Sequence, residues 1–156
     1  MILISPISSQ PTPPMGRVIL DDRLLIEELL VGLPLDGLHL ATTAYWYYRA
    51  CRAAVVGAGG HLSGPFTRLD LGHQASAIRS LLELRPEIDL PDPCLTIPAM
   101  AKVAEKYPRL NLLNLEVIAA AGLWQATVCL SKEASAGVLP GILETEGLEW
   151  RVICLD

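Results

Sequence analysis

The segment from Asn111 to Leu130, followed by Glu149 to Leu155, constrains this chain more than any other. The apolar run Leu112 to Leu123 reads as a helix. A short turn at Gln125-Ala126 leads into Thr127-Val-Cys-Leu130, whose branched and apolar side chains read as a buried strand. A further helix is predicted over Gly137 to Thr145, a turn at Gly147, and a last strand over Trp150 to Leu155. Strands alternating with helices through short connections predict a parallel sheet. A matching strand, Arg17-Val-Ile-Leu20, runs directly into Asp21-Asp22. Open parallel sheets bind ligands outside the carboxyl ends of their strands. Acids at that point are placed where they can share a metal. The expected architecture is α/β, with helices on both faces of a central parallel sheet that includes Val18–Leu20, Val128–Leu130 and Val152–Leu155.

A length of 156 residues favours one domain. Residues 1–16, with Pro6, Pro11, Pro13 and Pro14, read as a flexible tail, and residues 17–156 as the domain. Asp21 or Asp22 can cap a helix from Arg23 to Val31, which Gly32 and Pro34 stop. Thr42 or Thr43 can cap a second helix to Val56. Its run Tyr45-Trp46-Tyr47-Tyr48 covers more than one helical face, so some of these rings meet the core and others a partner or cleft. Gly57 to Thr67 is glycine-rich but lacks the lysine of a phosphate loop, which argues against nucleotide binding. Leu69 to Leu84 is a third helical pattern. A proline-punctuated connection follows, able to include a short strand, and Pro98 is expected to open a helix from Ala99 to Lys106.

The formal charge of -5 argues against a broad electrostatic nucleic-acid surface. Half the chain, 51%, is hydrophobic, an excess that points to a homodimer burying part of it. Cys51, Cys94, Cys129 and Cys154 form no CxxC pair, and Cys129 and Cys154 fall in apolar strands, where buried thiols are expected. No stretch of about 20 residues is apolar enough to span a membrane. A cytoplasmic protein with reduced thiols is expected.

Among the acids, Asp21 ends a strand and is a candidate metal ligand as well as a candidate cap. Glu27 and Glu28 are expected on a solvated helix face. Glu116 sits inside an otherwise apolar helix, where a carboxylate must reach solvent, pair, or bind a cation, because an unpaired buried charge is costly. His39, His61 and His73 share no helical spacing, and neither His61 nor His73 is assigned to catalysis.

Four pieces of the chain resemble the PIN-domain family, which includes the VapC-type toxin ribonucleases of toxin–antitoxin pairs. Val18-Ile-Leu-Asp-Asp-Arg-Leu-Leu is similar to that family's opening strand with its terminal acid. The helix from Thr42 to Ala54 follows at the expected separation. Leu113-Asn-Leu-Glu-Val-Ile-Ala-Ala-Ala is similar to the family's acidic helix, which leads to a strand ending in Thr-x-Asp. The closing Gly147-Leu-Glu-Trp-Arg-Val-Ile is like its last strand. The resemblance implies a cluster of three or four carboxylates around one or two Mg²⁺ or Mn²⁺ ions, which activate water against an RNA phosphodiester.

On that resemblance Asp21 takes the first acid position and Tyr48 falls on the second. The third falls on Asn114, with Leu130 and Lys132 at the Thr-x-Asp positions, or on Glu116, with Ser131 and Glu133 there. The implied metal ligands are Asp21, Asn114 and Glu116, and the implied catalytic residues Asp21, Glu116 and Glu133. Tyrosine is neutral near pH 7 and does not replace a carboxylate. The depleted acid set favours a PIN-like binding or regulatory module with a protein partner over the alternative, a Mg²⁺-dependent endoribonuclease acting on RNA. A response-regulator receiver and a dinucleotide-binding enzyme are disfavoured, since neither a phosphoacceptor setting nor a G-x-G-x-x-G follows.

Overall fold

The computed structural model describes residues 16–57 and 63–155. The expected tail over residues 1–15, the centre of the glycine-rich loop with His61, and Asp156 lie outside these residues. Among the described residues, four strands form one sheet: β1 (Arg17–Leu20), β2 (His39–Ala41), β3 (Thr127–Leu130) and β4 (Trp150–Val152). Their order is β2-β1-β3-β4, and every pairing is parallel. Eight helices accompany them among the described residues: α1 (Asp22–Leu30), α2 (Ala44–Val56), α3 (Gly64–Thr67), α4 (Leu71–Leu82), α5 (Pro93–Lys106), α6 (Leu112–Trp124), α7 (Lys132–Ser135) and α8 (Leu139–Thr145).

Side chains alternate across a strand, and here both faces are apolar, as a sheet covered on both sides requires. Val18, Leu20 and Cys129 face one core, built with Leu24, Leu25 and Ile26 of α1, Ala50 and Ala53 of α2, and Leu81 of α4. Ile19, Val128 and Leu130 face a second core, built with Val117, Ile118 and Ala121 of α6 and Leu139 and Leu143 of α8. The predicted α/β sheet with helices on both faces is the fold that forms. Asp21 caps α1, Thr43 caps α2, and Gly57 closes α2 at a φ of 69°. The Trp46 ring lies in the second core, Tyr47 packs against the first, and Tyr45 and Tyr48 are exposed. The aromatic run thus splits between core and surface as its length demands. Among the described residues, no helix is long and apolar enough to cross a membrane.

Several elements differ from expectation. β2 has no sequence signal of its own: His39-Leu-Ala41 is three residues long and is held in place by pairing with β1 and by a bridge from Ala41 to Asp89. β4 ends at Val152, and Cys154 beyond it is exposed; of the two expected buried thiols only Cys129 is buried. Its burial pushes that thiol up to about 11. The helix expected to open at Pro98 starts instead at Pro93, where Asp92 caps it. Pro98 therefore lies inside α5, denying the carbonyl of Cys94 its helical donor. Asp92 and a proline at the first helical position supply the start signal that Pro98 was expected to give. Glu27 and Glu28 are not simply solvated. Arg23 donates to Glu27 at 3.0 Å, while the Leu33 amide and Arg85 donate to Glu28 at 2.8 and 2.7 Å. Glu28 thereby closes the carboxyl end of α1.

Candidate functional site

β1 and β3 are neighbours in the sheet but send the chain in opposite directions. From β1 it passes into α1, over the first core. From β3 it passes through α7 into α8, over the second. Where adjacent strands diverge in this way, a crevice opens at their carboxyl ends. Asp21 follows β1 and Ser131 follows β3, so the two meet at the base of that crevice.

Asp21 is 0% exposed. Its Oδ1 accepts from the amide of Leu24 at 2.8 Å, capping α1. Its Oδ2 accepts from the amide of Ser131 at 2.7 Å and from the Ser131 hydroxyl at 2.6 Å. Burial raises the Asp21 carboxyl above its ordinary value of 3.8, and the nearby charge of Asp22 adds to that; the three donors act in the opposite direction without overcoming burial.

Above this base lies a cleft of about 270 Å³, lined by Asp22, Trp46, Arg49, Asn114, Ser131 and Glu133 among others. Asp22 is also buried. Its Oδ1 accepts from the amide of Arg23 at 2.8 Å and its Oδ2 from Nε of Arg49 at 2.7 Å. The cleft continues into a wider, more apolar groove of about 680 Å³ formed by Tyr107, Pro108, Leu110 and Ile142, with Asn111, Asn114 and Val138 common to both.

Of the residues singled out in sequence, Asn114 and Glu133 line the cleft, and Asp21 lies beneath it through Ser131. Glu116 does not line it. Its Oε2 accepts from the amide of Ala44 at 2.8 Å and its Oε1 from that of Tyr45 at 2.9 Å, the first two residues of α2. A carboxylate there satisfies otherwise orphaned helix donors and meets the positive end of the helix dipole. This explains how α6 carries a buried acid among alanines. Tyr48 is 61% exposed and does not line the cleft either. The α2 residues that do are Trp46 and Arg49. They follow the Thr43 cap by three and six residues, so helical spacing from the cap was the signal that locates them. Ser131 is the other functional residue that sequence reasoning left unnamed in its own right. Its signal was its place between an apolar strand and Lys132-Glu133, the setting of a helix cap.

A hard divalent cation wants several free oxygen ligands. Here Asp21 is engaged by three donors, Glu116 by two amides, and Asp22 by an amide and a guanidinium. Among the described residues, no three of His, Cys, Asp and Glu come together in a way that could hold a metal ion. The donor set does not fit the ion cluster that the resemblance implies.

No family model and no curated protein matches the chain. Among solved structures, the chain is similar to that of VapBC-1 from nontypeable Haemophilus influenzae, with a TM-score of 0.49 and 16% sequence identity over 87% of this chain and 97% of that one. Similarity of that degree assigns no residue a role.

Two outcomes follow from the engaged acids. Glu116→Ala strands two amides at the start of α2 and should lower unfolding free energy by about 2–4 kcal/mol, measured by urea denaturation. A loss under about 0.5 kcal/mol, the range of a neutral surface change, would remove Glu116 from that role. For Asp21, the folded chain binds the carboxyl proton more tightly than the unfolded chain. The stability this contributes is fully present below pH 3.8 and is lost as pH rises through the higher folded-state value. Following the Asp21 carboxyl carbon by NMR should give a midpoint above 3.8; a midpoint below it contradicts the dominance of burial.

Proposed function

We propose that this chain is a PIN-like domain that works as a binding or regulatory module, holding a protein partner at the strand-end cleft without hydrolysing RNA. The observation that carries this reading is the use of Asp21 and Glu116. Their carboxylates accept from protein donors at both oxygens, tying strand ends and a helix start together. Acids spent in this way are not open to a catalytic ion. The wider groove adjoining the cleft supports binding, since it combines an apolar wall with Lys106, Arg109 and the two asparagines on its rim. Exposed Tyr48, Val55, Leu95 and Ile97 support association with a second copy or another protein.

One observation favours the second reading, a Mg²⁺-dependent endoribonuclease resembling the VapC-type toxins. Asp22, Asn114 and Glu133 line a single cleft at the carboxyl edge of a parallel sheet. The two readings separate in a cleavage assay on single-stranded RNA with Mg²⁺ or Mn²⁺. The module reading expects a rate no different from that of the metal and RNA alone. Robust cleavage that Glu133→Ala abolishes would establish the nuclease instead.

A further inference from the structure

The cleft is built around a cation of its own. Arg49 places Nε 2.7 Å from Oδ2 of Asp22. The Asp22 side chain is 7% exposed, while that of Arg49 is 50% exposed, so the carboxylate is buried beneath a guanidinium that reaches solvent. Both residues line the cleft beside Asn114 and Glu133. The remaining oxygen of Asp22 is held by the amide of Arg23. Removing a carboxylate from water requires a counter-charge, and in this cleft Arg49 supplies it.

We infer that Arg49 is the resident cation of the cleft, standing against Asp22 where a divalent ion would otherwise sit and excluding that ion. The inference rests on the reading of the chain as a metal-independent module and gives that reading its physical cause. The planar fork of Arg49 fixes direction as well as charge. A divalent ion approaching Asp22 would meet a like charge already in hydrogen-bond contact with its ligand. The third candidate oxygen donor, Glu133, is exposed, and alone with Asn114 it offers a single charge to an incoming ion. Affinity in such sites rises with ligand charge count. Freeing Asp22 doubles the charge available in the cleft.

The test is a Mn²⁺ titration of the full chain, reading free Mn²⁺ by electron paramagnetic resonance. The wild-type chain should show no saturable binding up to about 1 mM, the weak end of carboxylate sites. Arg49→Gln keeps a donor for Asp22 but removes the charge, and should gain saturable binding at least about tenfold tighter than that limit. Asp22→Asn placed on Arg49→Gln should abolish the gain. Arg49→Lys, which keeps a cation, should remain without binding. Saturable binding by the wild-type chain, or a folded Arg49→Gln chain that gains none, overturns the inference. Should Arg49→Gln unfold, circular dichroism with added Mn²⁺ takes the place of the titration: refolding supports the resident-cation role, and no refolding overturns it. RNA cleavage is read on the same samples. Wild-type cleavage with Mn²⁺ removes the module reading itself. Absence of cleavage together with no gain in Arg49→Gln removes only the assignment to Arg49.

Discussion

Three hydrogen bonds to one buried carboxylate hold the carboxyl edge of this sheet together. Asp21 receives the amide of Leu24 in the first turn of α1, the amide that follows β3, and the hydroxyl of Ser131. Its own amide donates to the carbonyl of Cys129 at 3.3 Å, extending the β1–β3 ladder by one rung. Strand β1, helix α1 and strand β3 thus end or begin on a single side chain, although Asp21 and Ser131 are 110 residues apart in sequence. Every buried amide needs an acceptor. At the crevice between the diverging strands, the amides of Leu24 and Ser131 find theirs in the Asp21 side chain.

The same need recurs one layer out. Helix α2 begins at Ala44, and its first two amides would be left without partners against α6. Glu116 reaches across from α6 to accept both. Thr42 spans the other side, its hydroxyl donating to the carbonyl of Leu20 at 2.8 Å, so the ends of β1 and β2 are joined as well. Arg49 then rides on a helix whose start is fixed by Glu116, and closes on Asp22. Asp21 and Glu116 serve here as acceptors for backbone amides, and Asp22 as a partner for arginine. The proposed module follows from that division of roles.

The central architecture was legible because its signals are local. Val18-Ile-Leu20 and Thr127-Val-Cys-Leu130 present apolar side chains to both cores, as the strands of a covered parallel sheet do. Asp21, Thr43 and Gly57 mark helix ends by their own conformational preferences. What escaped depends on partners distant in the chain. β2 is a strand because β1 and Asp89 pair with it, and no property of His39-Leu-Ala41 announces that. That Glu116 needs solvent, a partner or a cation was legible from its apolar neighbours, but which of these it finds was not, because its partners lie 71 and 72 residues away. Tyr48 is exposed and away from the cleft, and the α2 residues that line it are Trp46 and Arg49, three and six residues beyond the Thr43 cap.

If the carboxylates at this edge are structural, the folded state gains nothing from a divalent ion. Any ion that binds the folded chain alone adds to its stability by mass action, about 2.7 kcal/mol at a hundredfold excess over the dissociation constant. Urea unfolding in millimolar Mg²⁺, compared with unfolding in chelator at matched ionic strength, therefore tests the account most directly. Superimposable curves are the predicted result. A midpoint that rises with Mg²⁺, and no longer rises once Asp21 or Asp22 is replaced by asparagine, would contradict it.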